Sequence, residues 1–187
     1  MSKQSILAAV RANKPADRPL PELPTYTPDP ENDLAVFTAS LGSSKGKVIP
    51  ASTLDDYLRE QFPDAKVIAS TVPEVTGNVD LDAIKEPLEL ALVDVAIIGA
   101  QFAVAENGAM WVSERESIIR VLPFITQHLI LIVEGDIVPT MHEAYRKIKI
   151  DDTGFGVFIA GPSKTADIEQ SLVIGAHGPR SLAVVIK

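Results

Sequence analysis

The chain has 187 residues, enough for one domain with a substantial apolar core. Hydrophobic residues make up 46% and charged residues 22%, as in an ordinary globular protein. With 17 basic against 25 acidic residues the net charge is −8, and no basic stripe stands ready to track phosphates, so a nucleic-acid partner is excluded. No cysteine is present, which excludes disulfides, a thiolate nucleophile and any cofactor bound by cysteine, zinc and iron–sulfur clusters included. Other cofactors stay open.

The first residues, MSKQSILAAVRANKP, lack the long apolar core and cleavage site of a secretory signal. Ser2 is placed to cap a short helix whose Ile6, Leu7 and Val10 share one face. Six of the 14 prolines then fall between Pro15 and Pro30, which reads as an extended arm. Residues 1–30 thus form a helix and arm. The arm either packs on a partner subunit, such as a second copy in a homo-oligomer, or lies on its own domain. Residues 31–187 form a single α/β domain.

Within it, Asp29 and Pro30 read as the N-cap and first residue of a helix with Leu34, Phe37 and Leu41 inward and Gly42 at its end. KVIP reads as a strand, TLDDYLREQF as a helix burying Leu54, Tyr57, Leu58 and Phe62, and AKVIAS as a strand. This alternation predicts a mostly parallel sheet flanked by helices. Val95–Ala105 and Ala109–Ser113 read as antiparallel strands around Asn107-Gly108, a pair that tolerates positive φ. SERESIIR reads as a solvated loop or edge. The apolar run Leu129–Val133 suits a strand buried on both faces and is too short to span a bilayer. PTMHEAYRKI follows as a helix with a Thr140–Glu143 capping box and Met141, Ala144, Tyr145 and Ile148 inward. GVFIAG reads as a strand, SKTADIEQSLV as a short helix and SLAVVIK as the last strand.

The candidate chemistry falls in three places. In GPSKTADIE, Ser163 or Thr165 is placed to cap the helix, whose free N–H groups, together with Lys164, suit a small anion. In an open α/β sheet such a loop lies beyond the carboxyl ends of the strands. It is not a P-loop, because Pro162 follows Gly161 where that pattern needs lysine, and Asp167 and Glu169 disfavour a polyphosphate. The plainer reading is a capped helix start with acids that offset its dipole. In GAHGP, His177 sits between turn residues, either as an acid/base group or bonded to turn carbonyls. In AENG, Glu106 ends an apolar strand, either as a base or substrate ligand or as a turn acid paired with Arg115 or Arg120. His128, His142 and His177 show no metal-site spacing.

AENG at the centre, GPSKTADIE late and LVIGAHGP before the final strand together resemble the LUD-domain family, in particular its lactate-utilisation branch. The likeness runs from the central strands to the C-terminus. The family pattern Ala-Glu-Thr-Gly-Thr is here Ala105-Glu106-Asn107-Gly108-Ala109, so two hydroxyls are missing. The resemblance implies a fold like that of the ribose-5-phosphate isomerase, glucosamine-6-phosphate deaminase and CoA-transferase group. It implies a cytoplasmic role in oxidising L-lactate to pyruvate alongside separate iron–sulfur proteins. A pocket for a small carboxylate would then use Glu106 and His177 as catalytic groups. Asn107, Gly108, Ser163, Lys164, Thr165 and Asp167 would bind substrate. A non-catalytic assembly subunit, or a stand-alone isomerase or transferase, are the competing readings.

Overall fold

In the computed structural model, which describes residues 2–16, 18–19, 21, 33–148, 154–166, 172–175 and 177–187, the aliphatic run Leu129–Val133 lies at the middle of a five-stranded parallel sheet. The strands are β1 (Lys47–Val48), β2 (Ile68–Ser70), β3 (Val95–Ala100), β6 (His128–Val133) and β11 (Ser181–Ile186), in the order β1-β11-β6-β3-β2. All four pairings are parallel. A second, four-stranded sheet holds β4 (Phe102–Val104), β5 (Ala109–Ser113), β7 (Ile137–Val138) and β8 (Gly156–Ile159), in the order β7-β4-β5-β8. The hairpin expected around Asn107-Gly108 is β4–β5, with Val104 opposite Ala109. Its first strand is shorter than expected. At Gln101 the chain leaves the parallel sheet, so β3 and β4 belong to different sheets.

Alternation along β6 explains the layering. Leu129, Leu131 and Val133 face one core, with Ala96 and Ile98 of β3 and Met110 and Val112 of β5. Ile130 and Ile132 face another, with Leu54, Tyr57, Leu58 and Phe62 of helix α3 (Leu54–Gln61) or its cap. A third cluster puts Phe102, Val104 and Trp111 against Ala144 of α6 (Met141–Lys147). The order is helix, parallel sheet, second sheet, helix, with α2 (Asp33–Ser43) packing Phe37 and Leu41 into the middle layer. Leu131 is fully buried at the centre. Leu131→Ala is expected to cost about 2–5 kcal/mol, read by chemical denaturation.

Helix α1 (Lys3–Ala12) forms as expected, with Ser2 Oγ accepting from Ser5 N–H at 3.2 Å, but Ile6, Leu7 and Val10 all remain exposed. The Asp29-Pro30 helix start lies outside the described residues. Leu34 is exposed, not inward. SERESIIR is not simply a loop. Ser113 and Glu116 make a capping box that starts α4 (Glu114–Ser117). Tyr145 is also not inward. It is 64% exposed and meets Phe158 edge-on at 5.8 Å. Among the described residues no helix is long and apolar enough to cross a membrane.

At the amino edge of the parallel sheet, Asp94 Oδ2 accepts the N–H groups of Lys66 and Val67 at 2.8 and 2.9 Å. These bonds hold its carboxyl below the usual range. The folded state therefore favours the ionised form. Its contribution is complete above the unfolded value of about 4 and is lost as pH falls through the lowered one. Asp94→Asn is expected to flatten the acid limb of the stability–pH curve in that window, measured by denaturation at a series of pH values.

Candidate functional site

The stretch after β8 turns sharply. Gly161 has φ +150°, and a Cβ there would meet the Ser44 carbonyl at 2.6 Å. Ser163 then ties two connections together. Its N–H donates to the Pro179 carbonyl at 2.9 Å, and its carbonyl accepts from Gly175 N–H at 2.9 Å. Gly178 packs so close that a Cβ would lie 3.0 Å from Ser163 Cβ. The stretch that follows β8 and the stretch that leads into β11 thus form one wall. Facing it are Pro123 and Phe124 of helix α5 (Leu122–Ile125) and Leu129 of β6. Between them lies a cavity of about 300 Å³, lined also by Ser163, Lys164 and His177.

Lys164 and His177 are exposed, and Ser163 is partly buried. Among the described residues, the Lys164 ammonium, the His177 ring and Ser163 Oγ make no hydrogen bond or ion pair. The cavity therefore offers a cation, an imidazole and a hydroxyl beside an apolar floor, a set suited to a small carboxylate. No three His, Asp or Glu side chains among the described residues are grouped to hold a metal ion.

The structure corrects the expected helix. Lys164–Ala166 is strand β9 and Leu172–Ile174 is β10, paired antiparallel with Thr165 opposite Val173. Val173 and Ile174 are β-branched and suit an extended pair, which here outweighs the capping residues. Lys164 opens a strand and not a helix, so the positive charge on this wall is its own ammonium. Asp167 lies outside the described residues. The location is also corrected. The cavity sits at the carboxyl end of β8 but beside the amino ends of β6 and β11, because β8 belongs to the second sheet.

Glu106 does not line this cavity. Its Oε1 accepts Met141 N–H at 3.0 Å at the start of α6, and its carbonyl accepts from Ser40 Oγ at 3.3 Å. It pairs with neither Arg115 nor Arg120; Arg120 donates to both oxygens of Glu114, at 2.7 and 3.1 Å. Asn107 Oδ1 accepts Ala109 N–H at 3.0 Å, and Gly108 takes φ +69°. All three act as turn builders here. Helix α2 and the turn that follows it touch both regions, the Glu106 turn through Ser40 and Gly161 through Ser44.

Sequence reasoning missed the cavity's apolar side. Pro123 and Phe124 carried a usable signal, a proline in the first turn of a short helix just before the buried strand β6.

The LUD domain family model matches residues 80–186, a span that includes every residue of this cavity. Lactate utilization protein C of Geobacillus kaustophilus is 29% identical over 140 residues, covering 71% of this chain and 56% of that protein. Lactate utilization protein C of Exiguobacterium sp. is 29% identical over 157 residues, covering 73% and 68%. An uncharacterized protein of Neisseria meningitidis serogroup B is 34% identical over 129 residues, covering 67% and 55%. The chain thus spans a little over half the length of the first of these relatives. The crystal structure of a DUF162 family protein from Deinococcus radiodurans superposes with a TM-score of 0.64 at 18% identity, over 86% of this chain and 99% of that one, so the fold is shared. The chain belongs to the LUD domain family.

Proposed function

We propose that this chain is a cytoplasmic component of an L-lactate utilisation system that oxidises L-lactate to pyruvate together with separate iron–sulfur proteins. The observation that carries the reading is a cavity with an uncommitted lysine, histidine and serine, inside the span that matches the LUD domain model, in a chain whose relatives include proteins named lactate utilization protein C. In this reading Lys164 holds the substrate carboxylate and Ser163 Oγ adds a hydrogen bond. His177 takes the hydroxyl proton as the carbinol is oxidised. The Cα–H bond breaks as well, so each L-lactate yields two protons, one taken by His177 and one released to solvent, and two electrons. A chain without cysteine holds no thiolate-ligated cluster, so the partners receive them. Deleting the gene is expected to abolish growth on L-lactate as sole carbon source. Unchanged growth contradicts the reading.

A second reading, a non-catalytic assembly subunit, is favoured by exposed apolar side chains. Ile6, Leu7 and Val10 of α1 are uncovered, and Leu88 and Leu92 are 77% and 78% exposed. Two variants separate the readings. If the cavity is the site, Lys164→Ala lowers lactate oxidation roughly tenfold or more in an intact complex. Glu106→Gln, at a turn outside the cavity, leaves it near wild type. Full activity of Lys164→Ala favours the assembly role.

A further inference from the structure

A second cavity, of about 310 Å³, opens on the other face of the same amino edge. Its lining includes Phe62 and Asp64 after α3, Asp94 before β3, Gln127 and His128 at the start of β6, and Arg180 before β11. Strand alternation explains the separation: Leu129 turns toward the first cavity and His128 toward this one. Backbone bonds fix the frame. Arg180 N–H donates to the Gln127 carbonyl at 2.8 Å, and His128 N–H donates to the Asp94 carbonyl at 2.9 Å.

The side chains in this frame are only half committed. Asp94 uses Oδ2 for two backbone N–H groups, while Oδ1 accepts nothing among the described residues. His128 is half-buried, its ring 4.5 Å from that of Phe62. Its Nδ1 bonds Ser181 Oγ at 2.8 Å, and Nε2 has no partner among the described residues. Arg180 is exposed, and its guanidinium makes no ion pair or hydrogen bond among the described residues. Burial and the nearby Arg180 charge hold His128 below its usual basicity, with Asp94 opposing them. Unmatched groups of both signs therefore share one small cavity. A simple anion meets Arg180 but also Asp64 and Asp94. A simple cation meets the reverse.

We propose that this cavity binds a small zwitterion of the amino-acid class, with its carboxylate on Arg180 and His128 Nε2 and its ammonium on Asp94. The guanidinium fork matches the two carboxylate oxygens. Phe62 offers an apolar surface to a short side chain. The site is separate from the one assigned to lactate and does not depend on it.

The chain has three histidines, so ring ¹H–¹³C signals report the two cavities separately, with His128 assigned by its loss in His128→Gln. Titration with L-alanine is expected to shift the His128 signals saturably. Acetate, methylamine and inorganic phosphate at equal concentration leave them nearly still. Arg180→Ala, a change at an exposed side chain, is expected to weaken the L-alanine response roughly tenfold or more. Arg180→Lys keeps part of it, and Lys164→Ala keeps all of it. The assignment is overturned if His128 does not respond to L-alanine, if acetate shifts it as strongly, or if Arg180→Ala responds like wild type. A response confined to His177 also overturns it, since the ligand is then in the other cavity.

Discussion

Lys164→Ala is expected to lower L-lactate oxidation by the assembled system roughly ten- to hundredfold while leaving the fold intact. Lys164 is exposed at the cavity wall, and its ammonium has no ion-pair partner among the described residues. Removing its ammonium breaks no hydrogen bond or ion pair among the described residues, so thermal unfolding should be unchanged. What it removes is the cation proposed to hold the substrate carboxylate. A hydrogen bond to a charged group contributes about 1.5–3 kcal/mol, which sets the size of the effect. Lys164→Arg, which keeps the charge, should recover part of the rate. His177→Gln should lower the rate. The readouts are pyruvate formation in the reconstituted system and a melting curve for each variant.

Gly108→Val is expected to cost about 3 kcal/mol or more, with a fall in Tm of about 10 °C. Two effects add. The residue sits at φ +69°, where a β-branched side chain is strained. A Cβ there would also meet Leu41 N at 2.6 Å and Leu41 Cα at 2.7 Å. Those are backbone atoms of α2, whose Phe37 and Leu41 side chains are fully buried, so the helix cannot move away without opening the core. Gly42 provides the contrast. It lies within α2, and nothing comes within 4 Å of a Cβ placed on it. Gly42→Ala should stabilise the protein by up to about 1 kcal/mol. The opposite signs at two nearby glycines separate close packing from a general preference for alanine. Denaturant titration of both variants measures it.

Much of the fold was legible because its signals were long and periodic. Leu129–Val133 is apolar on both faces, and it became the central strand between two cores. TLDDYLREQF showed one apolar face, and that face packs on the sheet. The Asn107-Gly108 signal found the β4–β5 turn. Short segments misled. SKTADIE carries good capping residues, yet Lys164–Ala166 pairs with Leu172–Ile174 as a hairpin. Three-residue strands have too few positions to show a period, and cross-strand bonds decided the outcome. SERESIIR hid a capping box because its charges read as solvated.

The site was legible in part. Ser163, Lys164 and His177 were singled out by residue type, and they do line one cavity. Glu106 was singled out for the expected cost of a buried acid, but it is exposed and caps α6 through Met141 N–H. Chain order could not show that the β8 carboxyl end meets the amino ends of β6 and β11. That depends on the crossing into a second sheet at Gln101, where β3 gives way to β4.

Carboxylate binding at the first cavity tests the account most directly. L-lactate and pyruvate titrated into the isotope-labelled protein should shift the His177 ring signals saturably, and Lys164→Ala should abolish the shift. Unmoved His177 signals, or an equal response in wild type and Lys164→Ala, would contradict the assignment of this cavity.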